Sequence, residues 1–135
     1  MTDRGTGEVV AAAWVCVRDR RLLVVRAHGS DAFYLPGGKP EPGETDAEAA
    51  VRETAEEVGL TVGDPRFFRT FEAPAHNRPP GTRVRLVCFT GEADGVPAPA
   101  NEIAELAWFS SADADRCAPA IRLVLGELVR AGRID

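Results

Sequence analysis

The 135-residue chain lacks any apolar run near the 20 residues needed to cross a bilayer, and its start has no signal-peptide pattern. We therefore expect a cytoplasmic protein with no membrane partner. No internal repeat or low-complexity segment is present, and the length suits a single domain, residues 1–135, with one hydrophobic core. Residues 1–7 are polar and glycine-rich, and we expect them to be disordered.

The chain also has few cysteines and no excess of positive charge. The three cysteines, Cys16, Cys88 and Cys117, lack metal-site spacing, so we expect reduced, mostly buried thiols. The formal net charge of -5 lacks the basic footprint of non-specific nucleic-acid binding, and we expect no nucleic-acid partner. An anionic small molecule stays compatible with this charge, because a bound cation reverses the local field. A monomer and a homodimer both remain possible.

The most informative stretch of the sequence is residues 38–60. Thr45 followed by Glu48 forms a capping-box pattern and Gly59 supplies a stop, so the sequence predicts a helix between them. Apolar or β-branched residues recur there at spacings of four, three and four, which predicts one core-facing side: Ala47, Val51, Thr54 and Val58.

Three carboxylates, Glu53, Glu56 and Glu57, share another side of this predicted helix, because residues three and four apart are neighbours. Like charges so placed repel, and Arg52 offsets part of the repulsion through its i,i+4 relation to Glu56. A hard divalent cation such as Mg²⁺ or Mn²⁺ prefers carboxylate oxygens and would offset the rest. The alternative is a solvated charged face, since Glu is a good helix former.

The preceding loop, residues 36–43, is too rich in proline and glycine for a helix or a central strand. Loop and helix together fit the pattern G-x5-E-x7-R-E-U-x-E-E-x-G-U, where U is bulky and apolar. Its fixed places hold Gly38, Glu44, Arg52, Glu53, Glu56, Glu57, Gly59 and Leu60. The stretch resembles the Nudix box, the signature of hydrolases that cleave nucleoside diphosphates linked to another moiety. Thr54 replaces the first bulky residue, and its β-branched side chain can still pack there.

The remaining chain reads as strands around this helix, followed by a second helix. Strands are predicted at 9–17 and 21–26 as a hairpin, at 33–35, briefly at 61–62, at 66–73 and 83–91 as a second hairpin, and within 102–109. A C-terminal helix at 118–131 carries an apolar face of Ile121, Leu125, Leu128 and Val129. This order predicts an α/β fold, a mixed β-sheet between helices in an α/β/α sandwich. The Nudix resemblance implies the same architecture.

The resemblance also implies roles for the box residues. It implies Mg²⁺ as cofactor, with Mn²⁺ as a substitute, on ligands that come from the helix and the glycine pair: Glu53, Glu56, Glu57 and a carbonyl of Gly37 or Gly38. Arg52 then orients the carboxylates, Glu44 braces the loop, and Gly37 and Gly59 are structural. The implied substrate is a small-molecule nucleotide, and small size favours an intact or oxidised nucleoside triphosphate. A nucleotide sugar, a dinucleoside polyphosphate, a dinucleotide cofactor and a non-catalytic binding domain are the alternatives.

The residue that activates water is left open between Glu53 in the box and Glu102 outside it, with Glu105 as a competitor. Glu102 follows a Pro/Ala-rich stretch that can move, so it could enter the site only when substrate is bound, as the base or as an additional metal ligand. The loop around 76–78 could close over the site, as functional loops do.

Substrate contacts are predicted on strands. Tyr34, with Phe33 beside it, could stack on a base, although strand aromatics often belong to the core. Arg69 and Arg83 are the arginines that we expect to meet phosphates, with Arg26 and Arg85 as further candidates.

Overall fold

The computed structural model describes residues 7–135. The predicted disorder of residues 1–7 lies outside this range except at Gly7, whose carbonyl accepts a hydrogen bond from the Arg83 N–H at 3.1 Å. In the described range the strands and helices are β1 (Glu8–Trp14), β2 (Val17–Arg18), β3 (Arg21–Ala27), β4 (Gly37–Gly38), α1 (Asp46–Val58), β5 (Gly63–Pro74), β6 (Arg83–Glu92), β7 (Ile103–Phe109), a 3-10 helix (Ser111–Arg116) and α2 (Pro119–Arg130).

These strands form a four-stranded mixed sheet, in the order β4-β1-β6-β5, and a three-stranded antiparallel sheet, β2-β3-β7. In the larger sheet β1 and β6 are parallel, and the other two pairs are antiparallel. The predicted mixed sheet between helices is thus confirmed, and a smaller sheet accompanies it. The hairpin predicted for 66–73 and 83–91 is confirmed as β5 and β6.

The hairpin predicted for 9–17 and 21–26 is wrong over most of its length, because β1 pairs with β6 instead. The chain changes sheets just after β1. The Val15 N–H still donates to Phe89 in the larger sheet, whereas the Cys16 carbonyl already accepts from Leu23 in the smaller one. Of the first strand predicted for this hairpin, only the end, β2, pairs with β3. A continuous apolar run predicts a buried strand but carries no information about its partner.

Alternation along the strands places the two helices on opposite faces, which gives the α/β/α sandwich. In β1, Ala12 packs with Ala49 and Ala50 of α1, whereas the next residue, Ala13, faces the α2 side. α2 buries an apolar face of Ala120, Ile121, Val124, Leu125 and Leu128. Val129, predicted for this face, is 39% exposed, because it lies one position beyond the buried Leu128.

The predicted capping box on α1 is confirmed. Thr45 Oγ1 accepts from the Glu48 N–H at 3.0 Å, the Glu48 carboxylate accepts from the Thr45 N–H at 2.9 Å, and Gly59 ends the helix at φ 75°. Thr54 and Val58 are buried as predicted, whereas Ala47 and Val51 are only partly buried. Ala49 and Ala50 are the buried residues that face the sheet instead, since small side chains let the helix approach the sheet closely.

Shorter predictions have mixed outcomes. Residues 33–35 make only isolated bridges, at Phe33 and Tyr34, and 61–62 form no strand. All three cysteines are buried and free, as expected. Within residues 7–135, neither α-helix is both long and apolar enough to cross a bilayer.

Thr54 supplies a stability test, because its side chain is fully buried and its Oγ1 has no hydrogen-bond partner among the described residues. Valine has nearly the same shape and no hydroxyl to desolvate. We expect Thr54→Val to leave the free energy of unfolding unchanged or to raise it by about 1 kcal/mol in urea titrations.

The matched control is Thr45→Val, the same change at a hydroxyl that caps α1. Loss of that cap should lower the free energy of unfolding by about 1 kcal/mol. A loss above about 2 kcal/mol in Thr54→Val would mean that the Thr54 hydroxyl makes a buried hydrogen bond.

Candidate active site

Three glutamates meet at the C-terminal half of α1. Glu53 and Glu57 project from this helix, and Glu102 lies in the turn before β7. One carboxylate oxygen from each lies within 4.8 Å of the other two. Glu57 is buried, Glu53 is half-buried and Glu102 is exposed, so the cluster opens to solvent on the Glu102 side.

Glu102 reaches this position because its loop caps the end of α1. The last carbonyls of a helix lack partners within it. Here Asn101 Nδ2 donates to the Glu56 carbonyl at 2.7 Å, and the Ala100 N–H donates to the Glu57 carbonyl at 3.0 Å. The expectation that Glu102 enters only with substrate is therefore wrong, since these bonds hold its loop beside the cluster in the free protein.

The glycine pair borders the cluster as the edge strand β4. The Gly37 N–H donates to Glu57 Oε1 at 3.3 Å. A Cβ on Gly38 would lie 2.5 Å from the Glu53 carboxyl carbon, which is closer than real Cβ atoms come. The flexible Glu53 side chain could shift to admit it, whereas a Cβ on Gly37 would lie 2.3 Å from the Ala12 carbonyl oxygen, so the stricter need for glycine is at Gly37. The structure brings Gly38 beside the predicted Glu53 carboxylate.

The cluster is electrostatically unfavourable as it stands. Burial, together with the nearby Glu53 and Glu102 carboxylates, raises the pKa of Glu57 to about 8 despite the hydrogen bond from Gly37. A divalent cation would offset this repulsion and desolvation. Hard carboxylate oxygens in this number are the ligands that Mg²⁺ or Mn²⁺ takes, so the residues fit such an ion.

Arg52 lies on the other side of Glu53 and braces the loop that precedes α1. Its Nε and Nη2 donate to the two Glu44 oxygens at 2.8 and 2.9 Å, and its Nη1 donates to Glu53 Oε2 at 3.1 Å. Nη1 also lies 3.5 Å from Glu56 Oε2. Arg52 thus contacts both the Glu44 and the Glu53 carboxylates, and its predicted role in orienting them, with that of Glu44 in bracing the loop, stays a prediction.

Two predicted carboxylates lie apart from the cluster. Glu56 points toward Arg52 with its side chain 48% exposed, and its predicted help in metal binding stays a prediction. Glu105 pairs with Arg26 at 2.7 Å on neighbouring strands. This ion pair gives Glu105 a structural partner that Glu102 lacks among the described residues.

Two adjoining cavities of about 280 and 260 Å³ open beside the cluster. Glu57, Glu102, Gly38 and Lys39 line the first, and mainly apolar side chains line the second. Six residues border both cavities: Val9, Ala11, Tyr34, Arg78, Leu86 and Ile121. Both cavities are thus mainly apolar, and the first also carries charged side chains, as an amphipathic ligand requires.

The structure places only one predicted substrate contact along these cavities, namely Tyr34. Phe33 is buried against Phe109, with ring centroids 4.8 Å apart. The arginines predicted to meet phosphates do not line either cavity in the described chain: Arg69, which lies near Glu127, and Arg26, Arg83 and Arg85.

Two basic side chains line the cavities instead. Lys39 directly follows the glycine pair and was not among the predicted substrate contacts, whereas Arg78 belongs to the 76–78 loop that was predicted to close over the site. The signal for Lys39 in the sequence was its position beside the glycine pair.

Comparison with known proteins agrees with this geometry. The family model of the NUDIX domain matches residues 7–128, so the chain belongs to the NUDIX family. The crystal structure of the MutT NUDIX hydrolase from Burkholderia pseudomallei shares the fold, with a TM-score of 0.73 and 21% identity over 90% of this chain and 98% of that one.

Two curated relatives match over shorter segments. The 8-oxo-dGTP diphosphatase of Escherichia coli (strain K12) is 50% identical over 46 residues, 34% of this chain and 33% of that protein. The RNA pyrophosphohydrolase of Serratia proteamaculans (strain 568) is 40% identical over 54 residues, 40% of this chain and 31% of that protein. The matched segments thus span about a third of each relative's length.

The brace between Glu44 and Arg52 predicts a pH-dependent contribution to stability. Hydrogen bonds from Arg52 and from the Glu41 N–H lower the pKa of Glu44 from 4.5 to about 2. Because the folded protein holds this carboxyl more strongly ionised, its contribution is fully present above about pH 4.5 and is lost as pH falls toward 2. Glu44→Gln should therefore be less stable than wild type at pH 7, and the difference should shrink below pH 4.5.

Urea titrations at several pH values measure this difference. Glu92→Gln, at an exposed glutamate that ends β6, is the control and should follow wild type throughout. A Glu44→Gln deficit that stayed constant from pH 7 to pH 3 would show that the brace does not depend on the charge of Glu44.

Proposed function

We propose that this chain is a hydrolase of phosphoric anhydride bonds that uses Mg²⁺, with Mn²⁺ as a substitute, to cleave the pyrophosphate link of a small nucleotide. One observation carries the proposal: Glu57 and Glu102 of the acidic cluster line a mainly apolar cavity that also holds Lys39 and Arg78. Membership of the NUDIX family supports the same reaction class.

Glu53 and Glu57 would hold the cation, with the Gly38 carbonyl beside them. When bound, a divalent cation supplies charge neutralisation for the phosphates and a lowered pKa for its water. Arg52 donates to Glu53 and so restricts the orientation of that carboxylate. The Gly37 N–H does the same for Glu57.

Glu102 is the best-placed base for the attacking water. Glu102 is the exposed member of the cluster, so one of its oxygens can face solvent while the carboxylates of Glu53 and Glu57 face the ion. A general base needs only hydrogen-bond reach to the water, directly or through a second water. Glu102 would take the proton from that water and leave Glu53 free as a ligand.

The substrate that the cavities favour is a nucleoside triphosphate, intact or oxidised. The apolar compartment can take a base over Tyr34, and Lys39 and Arg78 can meet phosphates next to the cluster. The name of the relative that acts on 8-oxo-dGTP supports the same class.

A panel of nucleotides assayed with Mg²⁺ or Mn²⁺ tests this function. The panel should contain intact and oxidised nucleoside triphosphates, nucleotide sugars, dinucleoside polyphosphates and dinucleotide cofactors. We expect metal-dependent release of pyrophosphate or phosphate from a nucleoside triphosphate, and none with a chelator present.

Glu57→Gln is the matched variant, since it keeps the shape of the buried side chain but cannot ionise to bind a cation. We expect it to lose both calorimetric Mg²⁺ binding and nucleotide cleavage while it still folds, because a neutral amide replaces a carboxylate that burial already disfavours. Equal Mg²⁺ binding by wild type and Glu57→Gln would contradict the proposed metal site. Nucleotide binding without turnover would favour the non-catalytic alternative.

The base is tested by Glu102→Gln. Loss of a general base typically lowers rate by about 10²–10⁴-fold, and we expect kcat to fall within this range. Thermal stability should change little, because Glu102 is exposed and its loop is held through backbone groups and Asn101. Mg²⁺ should still bind, because Glu53 and Glu57 remain.

Glu105→Gln is the control for this experiment, because that carboxylate pairs with Arg26 away from the cluster. It should keep kcat within about twofold of wild type. If Glu102→Gln kept a wild-type kcat on a confirmed substrate, the role of base would pass to Glu53.

A further inference from the structure

One wall of the apolar cavity is held by a contact that lies outside the acidic cluster. The loop between β5 and β6, residues 75–82, forms this wall, and its His76 and Arg78 line the cavity. His76 Nε2 lies 2.7 Å from Asp31 Oδ1, across 45 residues of sequence. Asp31 belongs to the connection that follows β3.

The loop's own hydrogen bonds close its base without fixing it against the cavity. The Ala75 N–H donates to the Thr82 carbonyl at 2.9 Å, and the Thr82 N–H donates to the Pro79 carbonyl at 3.1 Å. Asn77, next to His76, has a left-handed φ of 55° and turns the chain there. The side-chain bond to Asp31 therefore ties this part of the loop to another part of the fold.

Asp31 lies in a connection whose backbone is hydrogen-bonded on both sides of it. The Ser30 N–H donates to the Ala27 carbonyl at 3.0 Å, and the Phe33 N–H donates to the Arg116 carbonyl at 3.0 Å. The hydrogen bond with His76 lowers the pKa of the Asp31 carboxyl below its usual range, so this carboxyl is ionised and accepting at neutral pH.

His76 also contacts an aromatic side chain that lines the cavity. Its ring meets Tyr34 edge to face, with centroids 6.2 Å apart, and Tyr34 borders both cavities. The groups that face His76 are thus the Asp31 carboxylate and the Tyr34 ring, with Asn77 beside it in the chain. A neutral imidazole that carries its proton on Nε2 donates to Asp31 as an imidazolium does, so the contact holds in both charge states.

We propose that Asp31 and His76 form a latch, in which both are positioning residues that hold the 75–82 loop, and with it Arg78, against the bound nucleotide. The identity of the ligand rests on the proposed function, whereas the latch itself is a property of the free protein. Neither latch residue lines the acidic cluster, so the latch acts on substrate binding and not on the attack by water.

A latch of this kind changes apparent affinity in a defined way. When the loop is held in place for only a fraction of the time, the apparent dissociation constant rises by the inverse of that fraction. Saturating substrate restores the closed complex, so kcat is unchanged. Loss of one exposed, charge-assisted hydrogen bond corresponds to a rise in KM of about three- to tenfold.

The experiment measures kcat and KM for His76→Ala, Asp31→Ala and the double variant on the nucleotide that the panel identifies. We expect KM to rise about three- to tenfold in each, kcat to stay within about twofold, and the double variant to match the single ones. His76→Gln keeps an N–H donor and should recover much of the wild-type KM. In an Arg78→Gln background, His76→Ala should add little, because the latch acts through Arg78.

Asp115→Ala, at an exposed aspartate of the 3-10 helix, is the control and should leave KM unchanged. An unchanged KM in His76→Ala, or additive effects in the double variant, would overturn the latch while metal-dependent turnover left the proposed function intact. If no nucleotide is cleaved, hydrogen exchange of the 75–82 amides tests the latch in the free protein. Faster exchange in His76→Ala and Asp31→Ala supports the latch, and unchanged exchange overturns it.

Discussion

The site depends on one close approach, that of the edge strand β4 to β1. A Cβ on Gly37 would lie 2.3 Å from the Ala12 carbonyl oxygen and 2.7 Å from the Ala13 Cα, so a glycine is needed where β4 pairs with β1. The Gly37 N–H then meets Glu57, and Arg52 donates to Glu53 from the opposite side. Helix, glycine strand and preceding loop are thereby joined around the carboxylates.

Negative charge in this unit is divided between two environments. Glu44 and Glu56 face Arg52, and the Arg52 guanidinium offsets their charge. Glu57 and Glu102 face each other and Glu53 instead, and burial there raises the pKa of Glu57. Arg52 also donates to Glu53 Oε2, so Glu53 borders both environments. On α1 itself, Glu56 faces Arg52 and Glu57 faces the cluster, because the two side chains project from different sides of the helix.

The change of sheets after β1 creates the space beside those carboxylates. Because β1 leaves the larger sheet at Trp14 and the chain continues into the smaller one, loops from both sheets meet around one opening. Tyr34 follows the smaller sheet's β3, Arg78 extends from the β5–β6 hairpin, and Glu102 precedes β7. Each contributes a different chemistry to the same cavities, and none is near the others in sequence.

The sequence by itself determined what is local. The capping box, the glycine stop and the three- and four-residue spacings predicted α1 and the side that carries Glu53 and Glu57, because helix geometry depends only on neighbours within about a turn. Tertiary structure decided the rest. Glu102 joins the cluster through bonds to α1 that span about 45 residues, and β1 pairs with a strand more than 70 residues away. Alternation in a strand shows which residues share a face but not which partner the strand takes. The cavity, the basic side chains that line it and the Asp31–His76 contact therefore became visible only in the folded chain.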